Sequence, residues 1–360
     1  MNRTFFHALT IATLTLTATS ALAQDRAAAP ALDPEVAAEM VAAANAVIAA
    51  TQGPGGPGPA VSPASALAYA LDAPERQDWS YWPREREGLS LGRMNANQRM
   101  LTHDLLETLL SARGYLEVSA IMSLEQVLAA IETVGFPRGE EYYWLTFYGE
   151  PSREEPWGWS FEGHHVSLNV TMAGDELSVT PSFFGSNPMR VQTGVRAGQE
   201  VLRYERIAAF RLLESLDEQQ RDAAIISDEA PRDILSGQLG VQDWNAWREA
   251  VNREGLLSSD MTDEQKALLG ALLDEVIARY RSEIAEAERA AIDVDDLSFA
   301  WMGPTEEGTP YYFRIVGESF VYEFDAAQDN GNHAHSVWRD KEDDFGAASL
   351  ERHYQEHPHP

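Results

Sequence analysis

Two kinds of hydrophobic pattern alternate along the chain and predict a protein built from both helices and strands. Apolar residues recur every three to four positions, as on one face of a helix, at 34–51, 95–134, 198–226, 262–290 and 346–355. Runs rich in aromatic and β-branched residues, typical of strands, occupy 142–148, 157–161, 164–172, 176–184, 297–302, 311–316 and 319–324. This order predicts an α+β fold. We expect both strand blocks to share one antiparallel sheet packed with helices, because neither block is large enough to be stable alone.

Capping residues predict where several of these helices begin and end. Asp33 followed by Pro34 is a typical helix start, since proline suits the first helical position. Three capping boxes predict further helix starts, and they are Ser123–Gln126, Asp217–Gln220 and Thr262–Gln265. Gly114 is expected to end the helix that precedes Ser123, and the helix that begins at Thr262 is expected to continue to about Ala290.

The first 23 residues have the three parts of a secretory signal peptide. Arg3 provides the positive charge, the stretch from Phe5 to Leu16 is a short apolar run, and Ala21-Leu22-Ala23 suits cleavage. This run is too short to span a bilayer, and no other stretch has the roughly 18 consecutive apolar residues of a membrane span. We therefore expect a periplasmic or secreted protein.

The rest of the chain divides by composition into two parts. Residues 24–63 are rich in Ala, Pro and Gly, and we expect one helix followed by a linker at 53–59. Residues 64–360 are predicted to form a single α+β domain.

Charge and cysteine content exclude several classes of function. The chain has 57 acidic against 27 basic side chains, a formal net charge of −30, and no cysteine. Unaided binding to nucleic acid or to an anionic membrane surface needs a positive face, so neither partner is expected. Disulfides, thiolate zinc sites and iron–sulfur clusters are excluded. Any metal site must therefore use histidine and carboxylate ligands.

The strongest candidate for such a site is His333-Ala334-His335. In extended backbone, residues i and i+2 point the same way, so two imidazoles would converge on one side of a strand. His164 and His165 open a predicted strand, where alternation places His164 on the apolar face and His165 on the polar face, unless a bulge after Gly163 changes this.

We expect His333 and His335 to meet at least one of the two adjacent histidines across the sheet, with Glu323 or His353 completing the site. Glu323 is close in sequence on the preceding strand, and His353 lies on the last predicted helix, whereas His359 is expected to be exposed. The predicted metal ligands are therefore His164, His165, His333, His335, His353 and Glu323. Imidazoles with a carboxylate suit zinc, iron(II) or copper(II).

Several motifs together resemble an uncharacterised family of secreted bacterial proteins, domain of unknown function 3500. These motifs are Gly163-His164-His165, Phe183-Phe184-Gly185 with Asn187-Pro188, and Asn332-His333-Ala334-His335-Ser336 with Trp338. The resemblance runs from about Arg76 to His357. It implies a secreted bacterial protein of this length and implies no particular reaction.

Three functions from different classes remain open. The first is an envelope protein that stores or transfers a transition metal, and the second is a metal-dependent enzyme, hydrolytic or oxygen-using, with an open coordination position. The third is a binding domain without metal, whose small-molecule or protein partner would lie on an aromatic surface formed by Trp144, Tyr148, Trp157 and Trp159. A closed four-ligand site would favour the first, three ligands with a pocket and a nearby carboxylate the second, and dispersed histidines the third.

The signal peptide leads to a direct prediction about the exported protein. Because Ala21 and Ala23 satisfy the small-residue rule for cleavage, the mature chain should begin at or near Gln24. N-terminal sequencing of protein recovered from the envelope or medium tests this. An exported chain that still begins at Met1 would contradict it.

Overall fold

The computed structural model describes residues 32–52, 67–132, 135–237 and 246–357. The predicted signal peptide, the linker at 53–59 and His359 lie outside these ranges. Within them, nine helices pack with one open sheet of thirteen strands.

The strands and helices are numbered here in chain order. The strands are β1 (Ala68–Tyr69), β2 (Leu89–Ser90), β3 (Tyr143–Tyr148), β4 (Trp157–Gly163), β5 (Val166–Ala173), β6 (Glu176–Ser178), β7 (Ser182–Ser186), β8 (Ile225–Ser227), β9 (Leu256–Leu257), β10 (Ser298–Met302), β11 (Tyr311–Val316), β12 (Phe320–Gln328) and β13 (His333–Asp340). The helices are α1 (Pro34–Gln52), α2 (Ala96–Leu109), α3 (Ala112–Ile131), α4 (Arg203–Ser215), α5 (Glu218–Ala224), α6 (Ala246–Ala250), α7 (Asp263–Ile277), α8 (Ser282–Ala290) and α9 (Ala347–Glu356). Short 3-10 helices occur at Pro74–Gln77, Leu91–Arg93, Ser258–Asp260, Val294–Asp296 and Asp344–Gly346.

The two predicted strand blocks form one sheet, as expected from the sequence. The strand order is β1-β3-β4-β5-β7-β13-β12-β11-β10-β8. Neighbouring strands are antiparallel except at the two ends, where β1 pairs with β3 and β8 pairs with β10 in parallel. The blocks join where β7 pairs with β13, with Phe184 opposite Ser336 and Gly185 opposite His335. The prediction of an α+β fold is therefore confirmed.

Three predicted helix boundaries are wrong. The first of these helices ends at Leu109 and not at Gly114, which lies inside α3. The capping box at Ser123 does not begin a helix, because α3 starts at Ala112 and Ser111 Oγ accepts the Gly114 N–H at 3.1 Å. The predicted helix 262–290 is divided into α7 and α8. Between them, the backbone turns to pair with the α2–α3 junction, where Ser111 N donates to Arg279 O at 2.9 Å. A Cβ at position 114 would lie 2.0 Å from that carbonyl, so glycine permits this approach inside α3.

The two faces of the sheet differ in chemistry. One face carries apolar residues such as Phe161, Leu168, Phe184 and Phe324, which pack in a single core with α1, α2, α3, α4 and α7. The opposite face, which we call the polar face, carries buried polar side chains that alternate with these. The polar residues are Glu162, Ser167, Asn169, Asp325, Glu323 and His335. Irregular segments near Ser80, Ser236 and Phe345 cover the polar face.

The predicted aromatic binding surface is not a surface. Trp144, Tyr148, Trp157 and Trp159 are all buried in the protein. The third candidate function, ligand binding on this aromatic surface, therefore loses its structural basis. Among the described helices, α3 is long and apolar enough to span a membrane by length and composition alone. In this structure it packs against the core and carries the buried Glu125, which is typical of a core helix.

A buried arginine connects the helices to the middle of the sheet. Arg279 donates to Glu117 Oε2 of α3 at 2.9 Å and to Ser336 Oγ of β13 at 3.1 Å, and it is paired with Glu205 of α4. Its guanidinium lies 4.2 Å from the centre of the Phe184 ring. Burial opposes the charged form, but the charges of Glu117 and Glu205 outweigh burial and raise the pKa of Arg279.

We predict that Arg279→Ala lowers the free energy of unfolding by about 3–5 kcal/mol, since it leaves Glu205 as an uncompensated buried charge. The matched control is Arg253→Ala, whose partner Asp296 is 53% exposed, and it should cost at most about 1 kcal/mol. Urea denaturation of the three proteins measures both values. Equal losses in the two variants would show that the buried cluster contributes no more than a surface ion pair.

Candidate metal centre

Three histidines converge on one point at an end of the polar face. His165 Nε2 lies 2.9 Å from His333 Nε2, and His335 Nε2 lies 3.0 Å from the same atom. Within the described ranges, this group consists of these three imidazoles, whose ligand atoms are all close enough to hold a single metal ion. The side chains of His165 and His335 are buried, whereas that of His333 is 12% exposed and forms the edge of the centre that faces solvent.

The convergence depends on the strand that lies between the two sequence motifs. His333 and His335 begin β13, and His335 is paired with Gly185 of β7. Gly185 N donates to the carbonyl of His165 at 2.7 Å, which holds the other motif against the same residue. A Cβ at Gly185 would lie 2.8 Å from His165 Cδ2, so the ring is placed over this glycine. The glycine of the Phe-Phe-Gly motif therefore makes room for the imidazole.

The expectation that His164 and His165 open a strand on opposite faces is wrong. They are the two central residues of the turn between β4 and β5, with Gly163 paired to Val166. His165 has φ of +68°, a left-handed conformation that is uncommon for residues other than glycine. The two rings are stacked with centroids 3.7 Å apart. Strand alternation does not apply within a turn, so both rings lie on the same side.

His164 nevertheless has a different partner from the three converging histidines. Its Nδ1 lies 2.5 Å from Glu125 Oε1 of α3 and 2.9 Å from the guanidinium of Arg138. One ring nitrogen cannot both donate and accept, and we assign the proton to Nδ1, donated to Glu125. Arg138 pairs with Glu132 at 2.6 Å and is attracted by Glu125 at 3.8 Å. Burial raises the pKa of Glu125 to about 7.

Carboxylates lie behind two of the three histidines. His335 Nδ1 donates to Asp233 Oδ1 at 2.9 Å and lies 3.3 Å from Asp325 Oδ2, while His333 Nδ1 lies 3.6 Å from Asp329 Oδ2. Metal-binding histidines usually donate their second ring N–H to such a carboxylate, which fixes the tautomer and the ring orientation. The Nε2 atoms are thereby left to face one another.

These carboxylates also determine where charge is held. Burial opposes protonation of His335, but the hydrogen bonds and charges of Asp233 and Asp325 outweigh it and raise its pKa to about 9. Burial and the charge of His335 lower the pKa of His333 to about 3. Burial and the neighbouring histidines lower the pKa of His165 well below its usual range. The surroundings of His335 thus favour its charged form, so an ion that binds its Nε2 must displace a proton.

Glu323 and His353 do not complete the group, which corrects the expectation from the sequence. Glu323 accepts hydrogen bonds from Leu235 N at 2.7 Å, Ser236 N at 2.9 Å and the Tyr312 hydroxyl at 2.6 Å. His353 lies in α9, where its ring centroid is 4.9 Å from that of His357. Proximity in sequence to the HxH strand was the only reason to choose Glu323, and one pleat further along β12 the residue opposite His335 is Asp325.

Sequence reasoning missed the carboxylates that contact the histidines. Asp325 had a usable signal, because it lies two residues after Glu323 and thus on the same face of the same strand. Asp233 and Glu125 had none. Asp233 lies in an irregular segment, and Glu125 was interpreted as part of a capping box that does not exist.

The donor set fits a transition metal. Nitrogens bound about 2.0–2.1 Å from one ion are separated by about 2.9 Å in octahedral and about 3.4 Å in tetrahedral geometry. Two of the three separations, 2.9 and 3.0 Å, are close to the shorter of these values, and all three nitrogens lie within 4.8 Å of one another. A second group able to hold an ion, formed by Asp233, Asp325 and His335, consists of the same atoms that make the carboxylate contacts of His335 Nδ1.

Comparison with known proteins gives a family and no activity. The family described as "Protein of unknown function (DUF3500)" matches residues 34–347, a range that includes the three converging histidines. No curated protein and no solved structure matches the chain. Because the match covers most of its length, this chain belongs to the DUF3500 family.

Proposed function

We propose that the protein binds one divalent transition metal ion, zinc, iron(II) or copper(II), through the Nε2 atoms of His165, His333 and His335, and that it is a metal-dependent enzyme. The observation that carries this proposal is the convergence of three imidazole nitrogens, two of whose rings, those of His333 and His335, have a carboxylate at Nδ1. Neutral imidazole is a good ligand for each of these metals.

A hydrogen-bonded histidine cluster is a poorer explanation of the same geometry. His333 Nε2 faces two other Nε2 atoms at 2.9 and 3.0 Å, yet it offers either one proton or one lone pair. It can therefore satisfy only one of its two neighbours, and an unmade hydrogen bond in a buried site costs about 1–3 kcal/mol. One cation between the rings accepts all three lone pairs and removes this conflict.

The number of protein ligands favours catalysis over storage. Structural zinc sites use four protein ligands, whereas catalytic sites use three and keep a position for water or substrate. The side chains of His333, Asp233 and Asp329 are 12%, 26% and 63% exposed, so solvent reaches the neighbourhood of the centre. A metal ion with an open position polarises an oxygen ligand or lowers the pKa of its bound water. Zinc would indicate hydrolytic chemistry, and iron or copper would indicate chemistry with oxygen.

Metal storage or transfer is the second candidate function. The same exposure of His333, next to Asp329 that is 63% exposed, favours it because both would ease the exchange of an ion with solvent. The rate of metal loss to a chelator separates the two functions. An enzyme centre should retain its ion for hours, whereas a transfer protein should release it within minutes.

The proposal includes export to the periplasm or the medium. Its support is the charged start, apolar run and Ala-x-Ala site within residues 1–23. An exported protein meets its metal outside the cytoplasm, so protein for metal analysis should be recovered from its native compartment.

Elemental analysis of the purified protein tests the proposal directly. We predict about one equivalent of a single transition metal, and loss of most of it in His333→Ala and His335→Ala, because two remaining imidazoles do not hold an ion tightly. The matched control is His353→Ala, which removes a buried histidine of α9 outside the converging group. Metal content unchanged in the His333→Ala/His335→Ala double variant would refute the proposal, and two equivalents in the wild type would indicate that the Asp233, Asp325 and His335 group also binds an ion.

We further predict that Gly185→Ala weakens metal binding without changing any ligand. The added methyl group would lie 2.8 Å from His165 Cδ2 and must displace the ring. Overpacking of this kind costs about 1–3 kcal/mol, so the affinity for zinc should fall by about tenfold or more. Gly270→Ala is the control, since its nearest neighbour would be the Arg289 side chain at 3.5 Å. Equal zinc affinities of the two variants, measured by competition with a chelator, would disprove the role of Gly185.

A further inference from the structure

The segment that brings Asp233 to His335 has no regular secondary structure. We call residues 232–237 the Asp233 strap, because this segment crosses the polar face between β8 and the end of the described range at Gly237. Its apolar contacts are made by Ile234, which packs with Tyr81, Phe183 and Val337, and by Leu235, which packs against the cluster that contains Trp247 and Val321. These apolar contacts anchor the strap on the sheet, and its polar contacts determine the register that brings Asp233 to His335.

Glu323 makes the main polar contact with this strap. One carboxylate oxygen, Oε1, accepts from the backbone N–H and the hydroxyl of Ser236, and the other, Oε2, accepts from Leu235 N and the Tyr312 hydroxyl. Hydrogen bonds to an ionised acceptor are stronger than those between neutral groups. With four donors on its two oxygens and no exposed surface, Glu323 has no capacity left to bind an ion.

The geometry of β12 couples this contact to the metal centre. Glu323 and Asp325 are two residues apart on the same face of β12, opposite Val337 and His335 respectively. The strap is therefore fixed at one pleat and delivers Asp233 to His335 at the next, a spacing of about 7 Å. Arg339 supports the far end of the strap by donating to Ser236 O at 2.6 Å.

We propose that Glu323 is a positioning residue, which holds the Asp233 strap so that Asp233 accepts the Nδ1–H of His335 and directs His335 Nε2 towards the metal. This inference rests on the proposed function for the role of the metal. The positioning of the Nδ1–H itself does not depend on the metal and can be measured without it.

The first measurement is the Nδ1–H proton of His335 by NMR in metal-free protein. In the wild type, the hydrogen bond to Asp233 should give a downfield, slowly exchanging signal. Glu323→Gln keeps the size of the side chain but replaces an acceptor with a donor opposite the strap. It should shift this signal upfield and speed its exchange, as should Asp233→Asn, because only Asp325 Oδ2 at 3.3 Å then remains as an acceptor. An unchanged signal in Glu323→Gln would overturn the inference, whatever the metal content.

The second measurement is zinc affinity in a double-mutant cycle. Glu323→Gln and Asp233→Asn should each weaken zinc binding about 10–100-fold, as expected for carboxylates that orient a ligand. The double variant should bind no more weakly than Asp233→Asn, because Glu323 acts through Asp233. Additive losses would show that Glu323 acts independently of the strap and would overturn the inference.

Two further variants separate positioning from folding. Asp343→Asn alters another buried carboxylate, one that accepts from Ser349 N and Oγ at 2.8 Å at the start of α9. It should lower thermal stability and leave both the NMR signal and zinc affinity unchanged. If Glu323→Gln does not fold, Ser236→Ala can replace it, because it removes only the hydroxyl donor to Glu323. This variant should weaken both the NMR signal and the zinc affinity. Wild-type protein that shows the signal but binds no metal would refute the proposed function alone.

Discussion

The pairing of β7 with β13 is the interaction on which the rest of the structure depends. It joins the two strand blocks into one sheet and places Gly185 between His165 and His335. Without it, the turn that carries His165 and the strand that carries His333, 168 positions later, would have no reason to meet. The same residues therefore close the hydrophobic core on one face and create the candidate metal centre on the other.

A buried polar face imposes a cost that the surrounding segments must offset. Glu162, Glu323 and Asp325 all lie under covering backbone, where an unpaired carboxylate would be strongly destabilising. Ser80 N donates a hydrogen bond to Glu162, and backbone N–H groups of the Asp233 strap donate to Glu323. The irregular segments are thus held by charge-assisted hydrogen bonds to the sheet, so loops that look unspecified in sequence can hold functional groups precisely.

Much of the fold could be predicted from the sequence, because hydrophobic period and capping act locally. The seven strand runs predicted from the sequence, α1, the capping box at Asp217 and the convergence suggested by His333 and His335 follow from near neighbours. The short strands β1, β2, β8 and β9 carry no such signal. The failures come from tertiary contacts and from a turn that interrupts a hydrophobic run. Backbone pairing at Arg279 divided one helix, a two-residue turn moved His164 and His165 out of a strand, and Asp233 comes from a segment without any periodic pattern.

The two faces of β13 explain why the centre can be ready before an ion arrives. On the helix side, Ser336 is bonded to the buried Arg279, and on the polar side, the adjacent His335 is bonded to Asp233. Successive side chains of a strand point to opposite faces, so these two contacts hold β13 from both sides of the sheet. The strand can neither shift nor twist without breaking one of them. The free-energy cost of ordering the ligands is then met during folding, so it does not reduce the affinity for an ion. Under the proposed function, a three-histidine site built in this way would gain affinity for its ion from rigidity.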